Sequence, residues 1–91
     1  MIEHHEPPED PIRWLQDMDI DPNQWSAGPG AHFAVHSHPH PKRLFVRHGS
    51  ISFNGHRLQA PAAIRIPAGF EHSADVGEDG VDCVEGFENR S

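Results

Sequence analysis

The chain has 91 residues with 14 acidic and seven basic side chains, nine histidines and one cysteine. This length allows one domain with limited buried surface, so we expect a metal ion or a second subunit to stabilise it, and a homodimer is the expected assembly. A net charge of −7 argues against nucleic-acid binding. No apolar run is long enough for a signal peptide or a membrane span, so we expect a cytoplasmic protein that binds a small molecule and does not contact a membrane. Cys83 is interpreted as a packing residue, since it has no partner for an internal disulfide.

The acidic residues are confined to the two ends of the sequence. Residues 1–22 and 71–91 each hold seven acids and one arginine, whereas no acid lies between Asp21 and Glu71. This acid-free segment either attracts an anionic substrate or is neutralised by the acidic ends, and both interpretations remain open here. Its basic residues are Lys42, Arg43, Arg47, Arg57 and Arg65.

Residues 1–24 are predicted to form an acidic, proline-rich arm with one short helix. Residues 3–9 are polar and interrupted by prolines, which is typical of an extended or disordered segment. Asp10 then supplies an N-cap and Pro11 a first helical residue, which predicts a helix over about residues 11–18.

From residue 25 onward the pattern changes to short extended runs separated by turn residues. Asn54-Gly55 predicts a hairpin, and the run of residues 77–80, Gly-Glu-Asp-Gly, predicts a turn. About seven short strands in sixty residues favour an antiparallel sandwich or barrel over residues 25–88, followed by a tail of residues 89–91. The predicted runs are residues 31–38, 44–46, 51–53, 56–58, 63–66, 72–76 and 81–86.

Three histidines form the most informative pattern in the sequence. His36 and His38 are two residues apart in an extended run, so their imidazoles project to the same face of a sheet. His72 follows in a later strand, at the end of Pro-Ala-Gly-Phe-Glu-His, and can approach the same point. The spacing therefore indicates a metal site with three histidine ligands.

The two histidine motifs resemble those of the cupins, small jelly-roll β-barrels. The first motif of that family is glycine, five residues, His-x-His, three or four residues, glutamate, six residues and glycine. Gly30, His36-Ser37-His38, position 42 and Gly49 match this spacing, and residues 67–72 match the second motif, Pro-x-Gly-x-x-His. The resemblance implies an all-β, cupin-type jelly-roll barrel preceded by the short N-terminal helix.

The departures from the cupin pattern concern the metal ligands. Lys42 stands where the family usually has its glutamate ligand, Pro61 replaces the glycine that opens the second motif, and Val76 replaces its final asparagine. Because no acid lies between Asp21 and Glu71, shifting the alignment by a residue or two does not recover the glutamate.

Three interpretations of the metal centre are open. In the first, His36, His38 and His72 hold a divalent transition metal, which for imidazole ligands means iron, zinc, manganese, nickel or copper. In the second, His40 replaces the missing glutamate and makes a fourth ligand. In the third, no metal binds and the histidines line a polar pocket.

The basic residues give candidates for substrate binding. Lys42 either points inward, where an anion would have to lie between its ammonium group and a metal ion, or is a solvated lysine. Arg47 and Arg65 are strand residues and are further candidates for holding an anionic substrate.

The sequence supports two main hypotheses of function. The leading one is a metal-dependent small-molecule enzyme of the dioxygenase-like or isomerase-like cupin type, acting on a small anionic or carbonyl-bearing substrate. The alternative is a non-catalytic ligand-binding or sensing cupin, in which the metal or pocket is structural or regulatory. A third hypothesis is a regulatory module whose N-terminal segment, with Trp14, binds a partner.

Overall fold

The computed structural model describes residues 1–88, and over this range the protein is built almost entirely of strands. The prediction of an all-β fold with a short helix near the N-terminus is confirmed. No helix within the described range has the length and apolar character needed to cross a membrane. The predicted tail, residues 89–91, lies outside the described residues. In chain order the elements are β1 (Glu3–His5), α1 (Pro11–Gln16), β2 (Asn23–Ala27), β3 (His32–His36), β4 (Lys42–Phe53), β5 (His56–Gln59), β6 (Ala62–Ile66) and β7 (His72–Phe87).

The strands form one antiparallel sheet that is organised around β4 and β7. The main path runs in the order β1-β6-β4-β7-β2, with β3 also paired to β7 and β5 also paired to β4. Because β4 and β7 each pair with several strands along their length, the sheet curls around one apolar interior. The buried core residues of this interior are Leu44, Val46, Ile51, Phe53, Leu58, Ile64, Ile66, Ala74, Val76, Val81 and Cys83.

The two long strands replace four of the predicted short ones. The prediction of a turn at residues 77–80 is wrong, because β7 continues through this segment opposite the bulged part of β4. Two neighbouring glycines, one on each strand, allow β4 and β7 to bend there while they stay paired. Gly49 has a φ of 77° and Gly80 a φ of 75°. A Cβ atom on Gly49 would collide with the backbone carbonyl of Gly80. The Gly-Glu-Asp-Gly run therefore marks a bend in a continuous ladder.

The predicted Asn54-Gly55 hairpin is confirmed. Phe53 and His56 are paired directly across it, and the two turn residues have φ values of 49° and 83°. Positive φ at both central residues is the geometry of a type I′ turn, which matches the twist of the adjoining strands.

The N-terminal segment adds β1 to the sheet and carries the short helix α1. Before the helix, β1 pairs with β6 in an antiparallel ladder. Asp10 caps α1 by accepting a bond of 3.1 Å from the backbone N–H of Arg13. The helix ends at Gln16, earlier than the predicted 18, because the chain turns at Asp19 and the N–H of Ile20 returns to the carbonyl of Leu15.

Candidate metal centre

The three histidines of the two motifs lie together at one end of the barrel. His36, the last residue of β3, is directly opposite His72, the first residue of β7. Their ring centroids are 4.5 Å apart, and the ring of His38 lies 4.7 Å from His36 and 5.1 Å from His72. One ring nitrogen from each residue falls within 4.8 Å of the others. This spacing suits three ligands of one metal ion.

A backbone hydrogen bond holds His38 beside the second motif. β3 ends at His36, so His38 is positioned by the chain that follows the strand. Its carbonyl accepts a bond of 2.8 Å from the N–H of Gly69, which has a φ of 75° in the turn before β7. The glycine of the second motif thus supplies both the turn and the contact that joins the two motifs.

Two of the rings are oriented by bonds to nearby carbonyls. Nδ1 of His36 lies 2.8 Å from the carbonyl oxygen of Ala34, and Nδ1 of His72 lies 2.9 Å from that of Phe70. A carbonyl accepts only from a protonated nitrogen, so Nδ1 carries the hydrogen in each ring and the Nε2 lone pair remains free. Metal-bound histidines are commonly oriented in this way.

Burial favours the neutral form, which metal binding requires, in His38 and His72. The side chain of His72 is 1% exposed. The pKa of His38 is lowered from 6.5 to about 4, mainly by burial and also by the nearby Lys42 ammonium, His36 and His72. Burial also lowers the pKa of His72, although its bond to the Phe70 carbonyl acts in the opposite direction. At neutral pH both rings are therefore available as ligands.

The cluster opens into a cavity with mostly apolar walls. The cavity has a volume of about 290 Å³, which is the size of a small-molecule site. Aromatic rings surround His72, with Phe53 edge-on at 5.9 Å and Phe70 stacked at 6.3 Å. The residues that line the cavity are Asn23, Trp25, Phe33, His36, Lys42, Leu44, Ile51, Phe53, His72, Ala74 and Glu85.

Lys42 points into this cavity and is paired with Glu85 of β7. Its Nζ lies 3.2 Å from a carboxylate oxygen of Glu85 and 5.2 Å from the ring centre of Phe87. Trp25 donates its indole N–H to the other carboxylate oxygen at 2.8 Å. Of the two interpretations of Lys42, the inward one is therefore observed, and the neighbouring anion is part of the protein.

The other candidate residues lie away from the cluster. His40 is exposed in the bend after His38 and does not belong to the group of three nitrogens. The bend breaks the alternation on which a fourth ligand depended. Arg47 donates to Gln24, and Arg65 is held by Glu88 and Glu3, so neither arginine lines the cavity.

The acidic ends neutralise much of the basic middle of the chain. Arg43 and Arg65 share the carboxylate of Glu88 at 2.7 and 2.8 Å, and Glu3 is 2.8 Å from Arg65. These guanidinium groups hold the pKa of Glu88 at about 2. Of the two interpretations of the charge pattern, the structure favours internal neutralisation for Lys42, Arg43 and Arg65.

Glu85 and Trp25 are the cavity residues that the sequence reasoning missed. A signal for Glu85 was present, because it is in phase with Val81 and Cys83, which face the core. Lys42 is likewise in phase with Leu44 and Val46. A charged residue at a core-facing position of each of two paired strands indicates an internal ion pair. Cys83 itself is fully buried, and burial raises the pKa of its thiol to about 12, in keeping with a packing role.

Comparison with known proteins identifies the fold. No protein-family model and no curated protein sequence matches the chain. The structure of KdgF from Halomonas sp. superimposes with a TM-score of 0.63 at 19% identity, over 99% of this chain and 79% of KdgF. The conserved SPY1581 protein of unknown function from Streptococcus pyogenes gives a TM-score of 0.63 at 16% identity, over 100% of this chain and 75% of its own length. These identities establish the fold alone. With the antiparallel barrel and the three-histidine cluster, they show that the chain has the fold of a small cupin.

Proposed function

We propose that the protein is a metal-dependent small-molecule enzyme of the dioxygenase-like or isomerase-like type, acting on a small anionic or carbonyl-bearing substrate. The observation that carries this proposal is the group of three clustered imidazoles at a cavity, two of them with Nε2 free. A divalent transition metal in this position supplies Lewis acidity toward a carbonyl oxygen and, if it is iron(II), a site for dioxygen.

The chain's own residues would hold the metal and shape the cavity around the substrate. His36, His38 and His72 provide uncharged ligands, so the ion keeps its full positive charge. Phe53 and Leu44 provide apolar walls that limit access of water and strengthen electrostatic interactions inside. The carbonyls of Ala34 and Phe70 keep the rings of His36 and His72 oriented.

The first test is whether the histidine cluster binds metal. Protein purified without chelator should contain one equivalent of a transition metal, whereas His38→Ala and His72→Ala should contain none. A metal present at a hundred times its dissociation constant stabilises the fold by about 2.7 kcal/mol, which raises Tm by roughly 10 to 20 °C in a domain of this size.

His32→Ala is the matched control for this experiment. His32 lies on the same strand as His36, but it is exposed and bonds Asp75 at 2.7 Å away from the cluster. The control should retain both the metal and the metal-dependent rise in Tm. Wild-type protein without metal, and with no change of Tm on addition of zinc, iron, manganese, nickel or copper, would contradict the proposal.

A non-catalytic ligand-binding or sensing cupin is the second candidate. The observation that favours it is that Glu85, the only carboxylate among the described residues that line the cavity, is ion-paired with Lys42 and bonded to Trp25, which is also the arrangement of a purely structural pair. Oxygen consumption or turnover that disappears in His38→Ala, with the fold intact, would decide for the enzyme. The homodimer and the cytoplasmic location stay predictions; a molar-mass measurement in solution tests the first.

A further inference from the structure

The Lys42–Glu85 pair is built into the wall of the histidine cavity. The side chains are only 13% and 12% exposed. Removing two charges from water is costly, and an apolar pair of similar volume would usually stabilise the barrel as well or better. A pair retained at the cavity wall, rather than at the protein surface, is therefore a candidate for a role toward the ligand.

The pair changes which ligands the cavity accepts. Glu85 neutralises the charge of Lys42, while Arg47 and Arg65 are bonded elsewhere. Among the described residues that line the cavity, no cation remains without a counter-ion. A bound metal ion would attract a carboxylate ligand, but Glu85 would repel it and no described side chain of the cavity adds a free positive charge, whereas an uncharged ligand avoids this repulsion.

Glu85 also has capacity for a further hydrogen bond. Each carboxylate oxygen can accept two bonds, and here Trp25 occupies one position on one oxygen while Lys42 occupies one on the other. The indole and the ammonium hold the carboxylate in one orientation at the wall of the cavity. A hydroxyl group of a ligand can therefore donate to a carboxylate that is already positioned.

We propose that Glu85 accepts a proton from an uncharged oxygen acid bound in the cavity, such as an enol or a hydroxyl next to a carbonyl, and that the Lys42–Glu85 pair selects such compounds over carboxylates. The ligand's O–H bond breaks, its electron pair stays on the ligand oxygen, and a new O–H bond forms on Glu85. The negative charge moves from Glu85 to the ligand, and Lys42 remains beside both. The total charge of the cavity is unchanged and no oxidant is needed. This inference rests on the proposed metal-dependent function and narrows its substrate class.

Isothermal titration of the zinc-loaded full chain with two small probes tests the proposal. Acetohydroxamic acid is uncharged and carries an acidic O–H, whereas lactate is a carboxylate of similar size. Titration in two buffers of different ionisation enthalpy counts the protons released on binding. Wild-type protein should release close to no proton with acetohydroxamic acid, because Glu85 retains it.

Glu85→Gln should change the affinities of the two probes in opposite directions. Binding of acetohydroxamic acid should now release about one proton to the buffer and weaken about tenfold, whereas lactate should bind about tenfold more tightly because Lys42 is freed; each change equals about 1.4 kcal/mol. Lys42→Met should weaken lactate binding instead. Glu88→Gln removes an ion-paired carboxylate outside the cavity and should leave the affinity and proton release of both probes unchanged.

The outcomes separate this inference from the proposed function. If wild-type protein binds zinc but releases a full proton with acetohydroxamic acid, or if Glu85→Gln matches wild type with both probes, the role of Glu85 is wrong while the metal site stands. If Glu85→Gln does not fold, a tightening of lactate binding in Lys42→Met overturns the proposal. Wild-type protein that binds no zinc or other transition metal removes the basis of both.

Discussion

The ion pair between Lys42 and Glu85 should appear as a strong energetic coupling between these two residues. Lys42→Met leaves a carboxylate in a poorly solvated place without its cation, and Glu85→Gln leaves the ammonium without its anion. The double variant removes both charges. We therefore expect the double variant to be more stable than either single variant, or to lose much less stability than the two single variants lose together.

The structure bounds the size of this coupling. Breaking a fully buried pair costs about 3 to 5 kcal/mol. Exposure of 13% and 12% leaves some access to water, which lowers the cost. Protonating a glutamate at neutral pH costs about 3 to 4 kcal/mol, and this sets a ceiling because the unpaired carboxylate can take up a proton. The expected coupling energy is about 1 to 3 kcal/mol.

Urea unfolding of the metal-free proteins at pH 7 measures this coupling energy. The four proteins of the cycle should share one m-value, so that differences in midpoint report stability alone. The exposed His32–Asp75 pair supplies a reference cycle, with side chains 61% and 62% exposed, and should couple by less than about 1 kcal/mol. Equal coupling in the two cycles would refute the argument that burial gives the Lys42–Glu85 pair its strength.

Two other predictions concern the bend and the histidines. Gly49→Ala should destabilise the protein more than Gly55→Ala. Both residues have positive φ, which costs alanine about 1 to 2 kcal/mol, but only at Gly49 would the added Cβ atom collide with backbone. Equal urea midpoints for the two variants would contradict the bend geometry. The metal-free protein should lose stability as pH falls from 7 to 5, because the unfolded chain protonates its histidines near pH 6.5 while the pKa of His38 in the fold is about 4 and that of His72 is lowered. Above about pH 6.5, His38 and His72 no longer make the stability depend on pH, because they are neutral in the folded and the unfolded chain. Between pH 7 and 5, the urea midpoint of His38→Asn should fall less than that of the wild-type protein.

The histidine cluster was accessible to sequence reasoning through its two motifs. The predicted alternation along one strand does not explain it, because His38 lies beyond the end of β3 and is positioned by its bond to Gly69. His36 and His38 are two residues apart, and His72 closes a six-residue motif whose glycine turns the chain into β7. These features depend on backbone geometry that the residue types themselves restrict. His40 illustrates the limit, because alternation continues only while the strand does, and β3 ends at His36.

The pairing of Glu85 with Lys42 could not be predicted from the sequence, because the two residues come from distant parts of the chain. Absence of acids near Lys42 correctly indicated that no neighbour in sequence replaces the glutamate. Which residue of β7 faces Lys42 depends on the register of two long strands, and that register shifts twice at the bulged segment around Gly49. Reading residues 77–80 as a turn divided β7 in two, so Glu85 was not placed opposite β4.

Strand β3 connects the candidate metal centre to local unfolding. All five of its residues are exposed, and its only strand partner in the described chain is β7. Because none of its own residues is buried, separating it from β7 should cost less free energy than separating β4, so its amide hydrogens should exchange with solvent faster than those of β4. Because His36 belongs to β3 and His72 to β7, a bound ion would tie the two strands together. Opening of β3 is then a route by which the ion enters and leaves. The hydrogen-exchange rate of the β3 amides measures how often the site opens.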